Sequence, residues 1–364
     1  MMTSLNIAQV SADRGIAPGS TKGAAQHLRG IAAGLGALGH RVELYSARKS
    51  EGFPVPVRGL SELNRLEPGD VDIVYERYSL GHLGGLRQAR RLGARFVLEV
   101  NAPLVDEAQQ HRPETVEPTH RDSERTLVRD ADLVISVSSV LTAWVREHRT
   151  GPVRTIPNGF EPSWFRTGLS TSASPTLAFI GHPKPWHGAD RLPRLLANLS
   201  ATGVRPELLV IGGGRGAEHV SSCAESLGVA DQVTITGALP PAQASAMLAQ
   251  ATIGIAPYRR QDPFYFCPLK VIDYLAAGLP IVATRQGDIP TLVDDAGILV
   301  HPDDDRGLAL AVASLLEDPG RAAQLGSNGR HRAWATMTWT QAAADTAIAI
   351  SALEPAGASA DALS

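Results

Sequence analysis

The feature that most constrains this chain is a rhythm. Short runs rich in Val and Ile recur along it, each followed by a segment long enough for a helix. In the first half the runs are LNIAQV (5–10), VELYSA (from Val42), VDIVYE (71–76), RFVLEV (95–100) and DLVISVS (132–138). In the second half they are TLAFIG (176–181), ELLVIGG (207–213), QVTITG (232–237), TIGIAPY (252–258) and PIVAT (280–284). A strand covered on one face only alternates apolar and polar residues, whereas these runs are nearly continuous. They therefore read as strands buried on both faces, in parallel sheets flanked by helices.

At 364 residues the chain exceeds what one ordinary core holds, so two doubly wound α/β domains are expected. The halves meet near VRTIPNGFEPSWF (153–165), where Pro, Asn and Gly read as a linker. The predicted division is 1–157 and 158–337. The helical pattern of 318–353 breaks around TMTWT, and its last part (about 338–354) is expected to pack back on the first domain. Residues 355–364 are small and polar and are expected to be disordered.

Composition excludes several classes. With 43% apolar and 20% charged residues the chain is globular. A formal net charge of −3 argues against a nucleic-acid binder held by phosphate contacts. Cys223 and Cys267 are too few for a disulfide framework. The first residues lack the basic and apolar regions of a signal peptide, and no apolar run reaches the ~20 residues that span a bilayer. The expectation is a cytoplasmic monomer or homodimer with no transmembrane segment; peripheral membrane contact stays open.

The chemistry concentrates in PFYFCPLKVIDYLAAGLPIVAT (263–284). Pro268 suits a helix start, Gly278 suits the position after its end, and Pro280 stops continuation. The spacing predicts a three-turn helix from Pro268 to Ala277 with Lys270 and Asp273 on one face near its N-terminus. Free N–H groups there attract an anion, and the ammonium adds a full charge. Asp273, one turn deeper, is placed to accept hydrogen bonds from vicinal hydroxyls. A diphosphate joined to a ribose satisfies both residues; a helix-dipole acid beside a solvated lysine is the plainer alternative.

This stretch resembles the hallmark segment of retaining GT-B glycosyltransferases of family four, an E-x7-E followed by A-x-G-x-P. In that family the second acid holds the ribose hydroxyls, and Asp273 occupies its place. The first acid falls at Tyr265, so the chain resembles the subgroup with F-Y-F-x-P-L-K before the acid, matched by Phe264 through Lys270. Pro268, Leu269 and Cys267 thereby enter the nucleotide-binding set. FIGHPKPWHGADRL (179–192) is similar to the family's glycine-plus-basic loop, in which a cation meets the diphosphate. Lys184 is the choice for that contact, with His182 and His187 where other members carry Arg and Lys. IPNGFEPSWF resembles the interdomain segment, and STKGAAQHLRGIAAGLGALGHRVELYS resembles the opening of the N-terminal domain. There Gly23, after Lys22, matches the glycine that approaches the diphosphate. The resemblance also implies that the base is read by backbone near Gly237 and Ala238.

What the resemblance implies is a GT-B fold, two Rossmann-like domains facing each other across a cleft whose closure excludes water. It further implies a UDP- or GDP-sugar as co-substrate, with no metal and no other cofactor. Lys184, Lys270 and Gly23 form the catalytic set. Two look-alikes are set aside: G-S-T-K-G (19–23) lacks the Gly-Lys-Ser/Thr order of a phosphate loop, and VIGGGRGA (210–217) has no acid ending the next strand.

Polar residues at the first domain's strand ends are the acceptor candidates: Glu76, Arg77, Glu99, Asn101 and Glu107, with Lys22 beside them. Surface or interdomain ion pairs are the alternative for Glu76, Arg77 and Glu99. The expected function is retaining sugar transfer to a small-molecule acceptor, in bacterial natural-product or small-thiol biosynthesis. Cell-envelope glycosylation, sugar-nucleotide epimerisation and a non-catalytic nucleotide-sugar-binding subunit are the rivals.

Overall fold

The structure is a computed structural model describing residues 3–165 and 174–353. The expected disordered tail lies outside the described residues. Two compact units emerge, Met1–Gly159 with Tyr265–Cys267 and Trp339–Ser364, and Phe160–Phe264 with Pro268–Thr338. The chain thus changes unit at Gly159/Phe160, and the three residues Tyr265–Cys267 group with the first unit, which the sequence did not suggest.

In the first unit seven parallel strands form one sheet. They are β1 (Asn6–Ser11), β2 (Arg41–Ser46), β3 (Val57–Gly59), β4 (Ile73–Arg77), β5 (Arg95–Val100), β6 (Leu133–Ser136) and β7 (Val153–Thr155). Their order is β3-β2-β1-β4-β5-β6-β7. Ala8, Val10, Phe96, Val97 and Val134 are fully buried, as continuous apolar strands require when helices cover both faces. Residues 153–155, taken as linker from the sequence, are instead the edge strand β7, registered on Val134–Ser136.

The helix Gly23–Ala37 packs on the C-terminal helix Trp339–Ser351, which belongs to the same unit. Small residues set this approach, because a Cβ on Gly30 would collide with the Trp339 indole. We expect Gly30→Val to destabilise the protein by about 1–3 kcal/mol, the range for overpacking a rigid contact. Urea denaturation measures it; an unchanged midpoint would show that the two helices do not pack this closely.

The second unit repeats the plan with six parallel strands. These are β8 (Thr176–Ile180), β9 (Glu207–Ile211), β10 (Val233–Ile235), β11 (Ile253–Ala256), β12 (Ile281–Thr284) and β13 (Gly297–Val300). The order is β10-β9-β8-β11-β12-β13. Leu177, Phe179, Val210 and Ile255 pack in one core with Leu192, Leu196, Val312 and Leu315 from flanking helices. In each sheet the strand order reverses direction once, at β1/β4 and at β8/β11. Crevices that bind ligands open at the strand C-termini of such switch points.

Candidate active site

The helix Leu269–Ala277 brings its N-terminus to the switch point of the second unit. Pro268 is its N-cap rather than a first-turn residue, and Gly278 closes it at φ 79°, a left-handed conformation that a side chain disfavours. Tyr274 locks the helix to the sheet. Its Oη lies 3.1 Å from the Ala178 carbonyl and 3.0 Å from that of Ile255, and accepts the Ile180 N–H at 3.2 Å. Both edges of the switch point are therefore tied to one phenol.

Lys270 is buried at 7% exposure. Its ammonium lies 4.8 Å from the Phe179 ring centre and 4.4 Å from that of Tyr258, and it donates to Tyr258 Oη at 3.1 Å. Burial pushes its pKa down to about 7, with Asp273 opposing the shift. Asp273 is half-buried, and no hydrogen-bond or ion-pair partner holds its carboxylate among the described residues. Loss of water raises its carboxyl to about 7, against the pull of Lys270. A desolvated ammonium beside an unpartnered carboxyl costs stability in the free protein, and both gain from a ligand with one anionic and one hydroxylated part.

Three glycine-containing loops meet at the C-terminal ends of β8, β9 and β10. A Cβ on Gly212 would strike the Gly181 carbonyl, and one on Gly213 would press at 3.3–3.4 Å on Gly237 and Ala238. A side chain at Gly212 is excluded and one at Gly213 would be tight, so His182, Gly237 and Ala238 come together at the ends of β8, β9 and β10. His182 is exposed, its Nδ1 3.1 Å from the Gly213 carbonyl. Lys184 is exposed, and its ammonium makes no ion pair among the described residues. His187 does not serve as a cation. Its Nδ1 accepts the Lys184 N–H at 3.2 Å, and burial, then Lys270, press its pKa down to about 2. Tyr258 and Phe179, which frame Lys270, were missed in the sequence; the tyrosine ending TIGIAPY was the available signal.

In the first unit the acceptor candidates form a buried hub. Glu99 is 1% exposed and takes donors from four directions. They are Tyr75 Oη and Asn101 Nδ2 at 2.5 Å each, Arg77 at 3.0 Å and His27 Nε2 at 2.5 Å. Burial raises its carboxyl, but His27 and Arg77 outweigh that and hold it down at about 2. Glu76 is likewise enclosed, with His82 Nδ1 at 2.6 Å. Neither Glu76 nor Glu99 is open to an acceptor: Glu99 is enclosed by its donors, and Glu76 is fully buried with His82 on Oε1 and no hydrogen-bond partner on Oε2 among the described residues. Arg77 and Asn101 are oriented by Glu99, and Glu107 accepts from Tyr265 Oη at 2.6 Å.

Lys22 caps the helix that begins at Gly23 and donates to the Gly15 carbonyl at 3.2 Å. Cys267 belongs to the first unit, where Asn158 donates its N–H to the thiol at 3.3 Å and its amide to the Cys267 carbonyl at 3.0 Å. That makes Cys267 a packed, engaged thiol. Among the described residues no group of three His, Cys, Asp or Glu is arranged to hold a metal ion, and no helix is long and apolar enough to cross a membrane.

Known proteins share this architecture. Sucrose-phosphate synthase from Thermosynechococcus elongatus matches with a TM-score of 0.76 at 20% identity, covering 95% of this chain and 98% of its own. Anabaena HepE in complex with UDP-glucose matches at 0.74 and 17% identity, covering 96% and 100%. Two Rossmann-like units of seven and six parallel strands, with these neighbours, define the GT-B fold class.

The model described as "Glycosyl transferases group 1" matches residues 174–318, and "Glycosyltransferase Family 4" matches residues 52–164. The GDP-mannose-dependent alpha-(1-6)-phosphatidylinositol monomannoside mannosyltransferase of Mycolicibacterium smegmatis is 30% identical over 272 residues, 69% of this chain and 68% of its own. The D-inositol 3-phosphate glycosyltransferase of Acidothermus cellulolyticus is 28% identical over 289 residues, 71% of this chain and 62% of its own. The chain belongs to glycosyltransferase family four.

Proposed function

We propose that the protein transfers a sugar, with retention of anomeric configuration, from a UDP- or GDP-sugar to a small polyhydroxylated acceptor. One observation carries this reading: a buried lysine and an unpartnered carboxyl share the first turns of one helix at the switch point of the second unit. Lys270, Lys184 and the helix N–H groups receive the charge that develops on the leaving diphosphate. Such preorganised stabilisation is usually the largest catalytic term. The incoming hydroxyl passes its proton to the departing phosphate, so neither a protein base nor a metal is required. Asp273 holds the ribose, and Gly237 and Ala238 border the base.

The relatives named for an inositol phosphate and a phosphatidylinositol mannoside support a polyol acceptor. The small-thiol or natural-product setting fits such an acceptor; cell-envelope glycosylation is the competing one. Asp273→Ala should weaken nucleoside diphosphate binding roughly ten- to hundredfold, the worth of a charge-assisted hydrogen bond or two. Wild-type protein should also bind the 2′-deoxy nucleotide less well, and that difference should vanish in the variant. Calorimetric titration of both nucleotides decides it. A variant that still discriminates against the deoxy form would remove Asp273 from the ribose.

A further inference from the structure

His27 is a buried histidine that the proposed chemistry leaves unused, and both of its ring nitrogens are engaged. It stands on the helix Gly23–Ala37, with Nε2 2.5 Å from Glu99 Oε2 and Nδ1 2.7 Å from Asn158 Oδ1. The Asn158 amide has one workable orientation. Its nitrogen donates to the Cys267 carbonyl at 3.0 Å, so its oxygen faces His27 as an acceptor. Glu99 accepts from Arg77 and Asn101 on one oxygen and from Tyr75 on the oxygen facing His27, an arrangement that favours the carboxylate. Two acceptors therefore face the ring, and a doubly protonated imidazolium satisfies both.

The place of this cation in the chain is unusual. The chain passes between the two units at Gly159/Phe160, Phe264/Tyr265, Cys267/Pro268 and Thr338/Trp339. Asn158 precedes the first of these steps, Cys267 is the last residue before the third, and Trp339 follows the fourth. The Trp339 ring lies 5.2 Å from that of His27 and nearly perpendicular to it. The third step leads directly into the donor helix. The Cys267 carbonyl and the Pro268 nitrogen share one planar peptide, and the proline ring fixes the next torsion, with φ at −77°. The one soft torsion between that carbonyl and the first helical N–H, that of Leu269, is Pro268 ψ. Lys270 follows one residue later.

We propose that His27 is a positioning residue for the transfer reaction, acting as an imidazolium through Asn158 and the Cys267 carbonyl to aim the start of the Lys270 helix. This role rests on the glycosyltransferase reading and adds to it the device that fixes the helix N–H groups before the diphosphate leaves. Tyr274 holds the helix to its sheet independently of His27, so loss of the anchor loosens the helix start without detaching the helix.

The test uses the full chain as wild type, His27→Gln and Asn158→Asp. Nitrogen-15 NMR of histidine-labelled protein at neutral pH should show a histidine with both ring nitrogens protonated, and its signal should be absent from His27→Gln. Asn158→Asp keeps an acceptor for the ring but removes the donor to Cys267, so there the signal should persist. Release of UDP or GDP from UDP-glucose or GDP-mannose, with water as acceptor, gives the kinetics. Both variants should lose at least about tenfold in kcat while KM moves less than about threefold, the pattern of lost preorganisation. Should His27→Gln fail to fold, Asn158→Asp decides alone. A neutral His27 ring in wild type, or unchanged kcat in Asn158→Asp, would overturn the proposal and leave the transferase reading standing. A wild type that releases neither nucleotide, and binds neither UDP nor GDP in calorimetric titration, would take that reading down and this role with it.

Discussion

Replacing Lys270 by methionine is expected to cut sugar transfer roughly 10²–10³-fold, the usual cost of removing one preorganised donor to a developing negative charge. The same substitution is expected to stabilise the free protein. Lys270 is buried against Phe179 and Tyr258, and burial lowers its pKa from 10.5 to about 7. Replacing a desolvated charge by an apolar side chain of similar length is commonly worth about 1–4 kcal/mol in favour of the fold. The sign with pH follows from linkage. Between about 7 and about 10.5 the unfolded chain binds more protons than the folded one, so wild-type stability rises through that window. The advantage of the methionine variant is therefore largest at and below pH 7 and shrinks towards pH 10. Thermal melts across pH, with transfer assays at one pH, test both halves. A variant that loses activity and stability together would mean that Lys270 is a packing residue.

The second large effect belongs to Glu99. Glu99→Ala is expected to cost about 3–5 kcal/mol, because it strands buried cationic and polar partners at the centre of the first unit. Arg77, His27, Tyr75 and Asn101 all direct donors at this one carboxylate. Its pKa in the fold is about 2 against 4.5 for the free group. The stability it contributes is fully present above about pH 4.5 and is lost as pH falls towards 2. Wild type and Glu99→Ala should therefore converge in denaturation midpoint over that acid window. A constant gap across it would show that the carboxylate's charge contributes nothing and that the loss is one of packing alone.

How much of this was legible in the sequence depends on range along the chain. The apolar runs gave ten of the strands, nine of them mostly buried on both faces and β10, short and partly exposed, through its alternating VTI. The three that escaped, β3, β7 and β13, are three or four residues long and partly exposed, so their apolar signal is weak. Helix punctuation by proline and glycine placed Lys270 and Asp273 correctly on one helix. What spacing could not show is that Phe179 of β8 and Tyr258, just after β11, close over the lysine and strip it of water. Glu99 was rightly read as a strand-end polar residue, yet its partner His27 lies 72 residues earlier and reaches it only through the β1-β4-β5 order.

Direct titration of UDP and GDP into the wild-type protein and Lys270→Met tests the proposed donor corner of the second unit most closely. At least one nucleotide should bind wild type, and that binding should be lost in the variant while the fold survives. Equal affinity in both proteins, or no binding of either nucleotide to wild type, would contradict it.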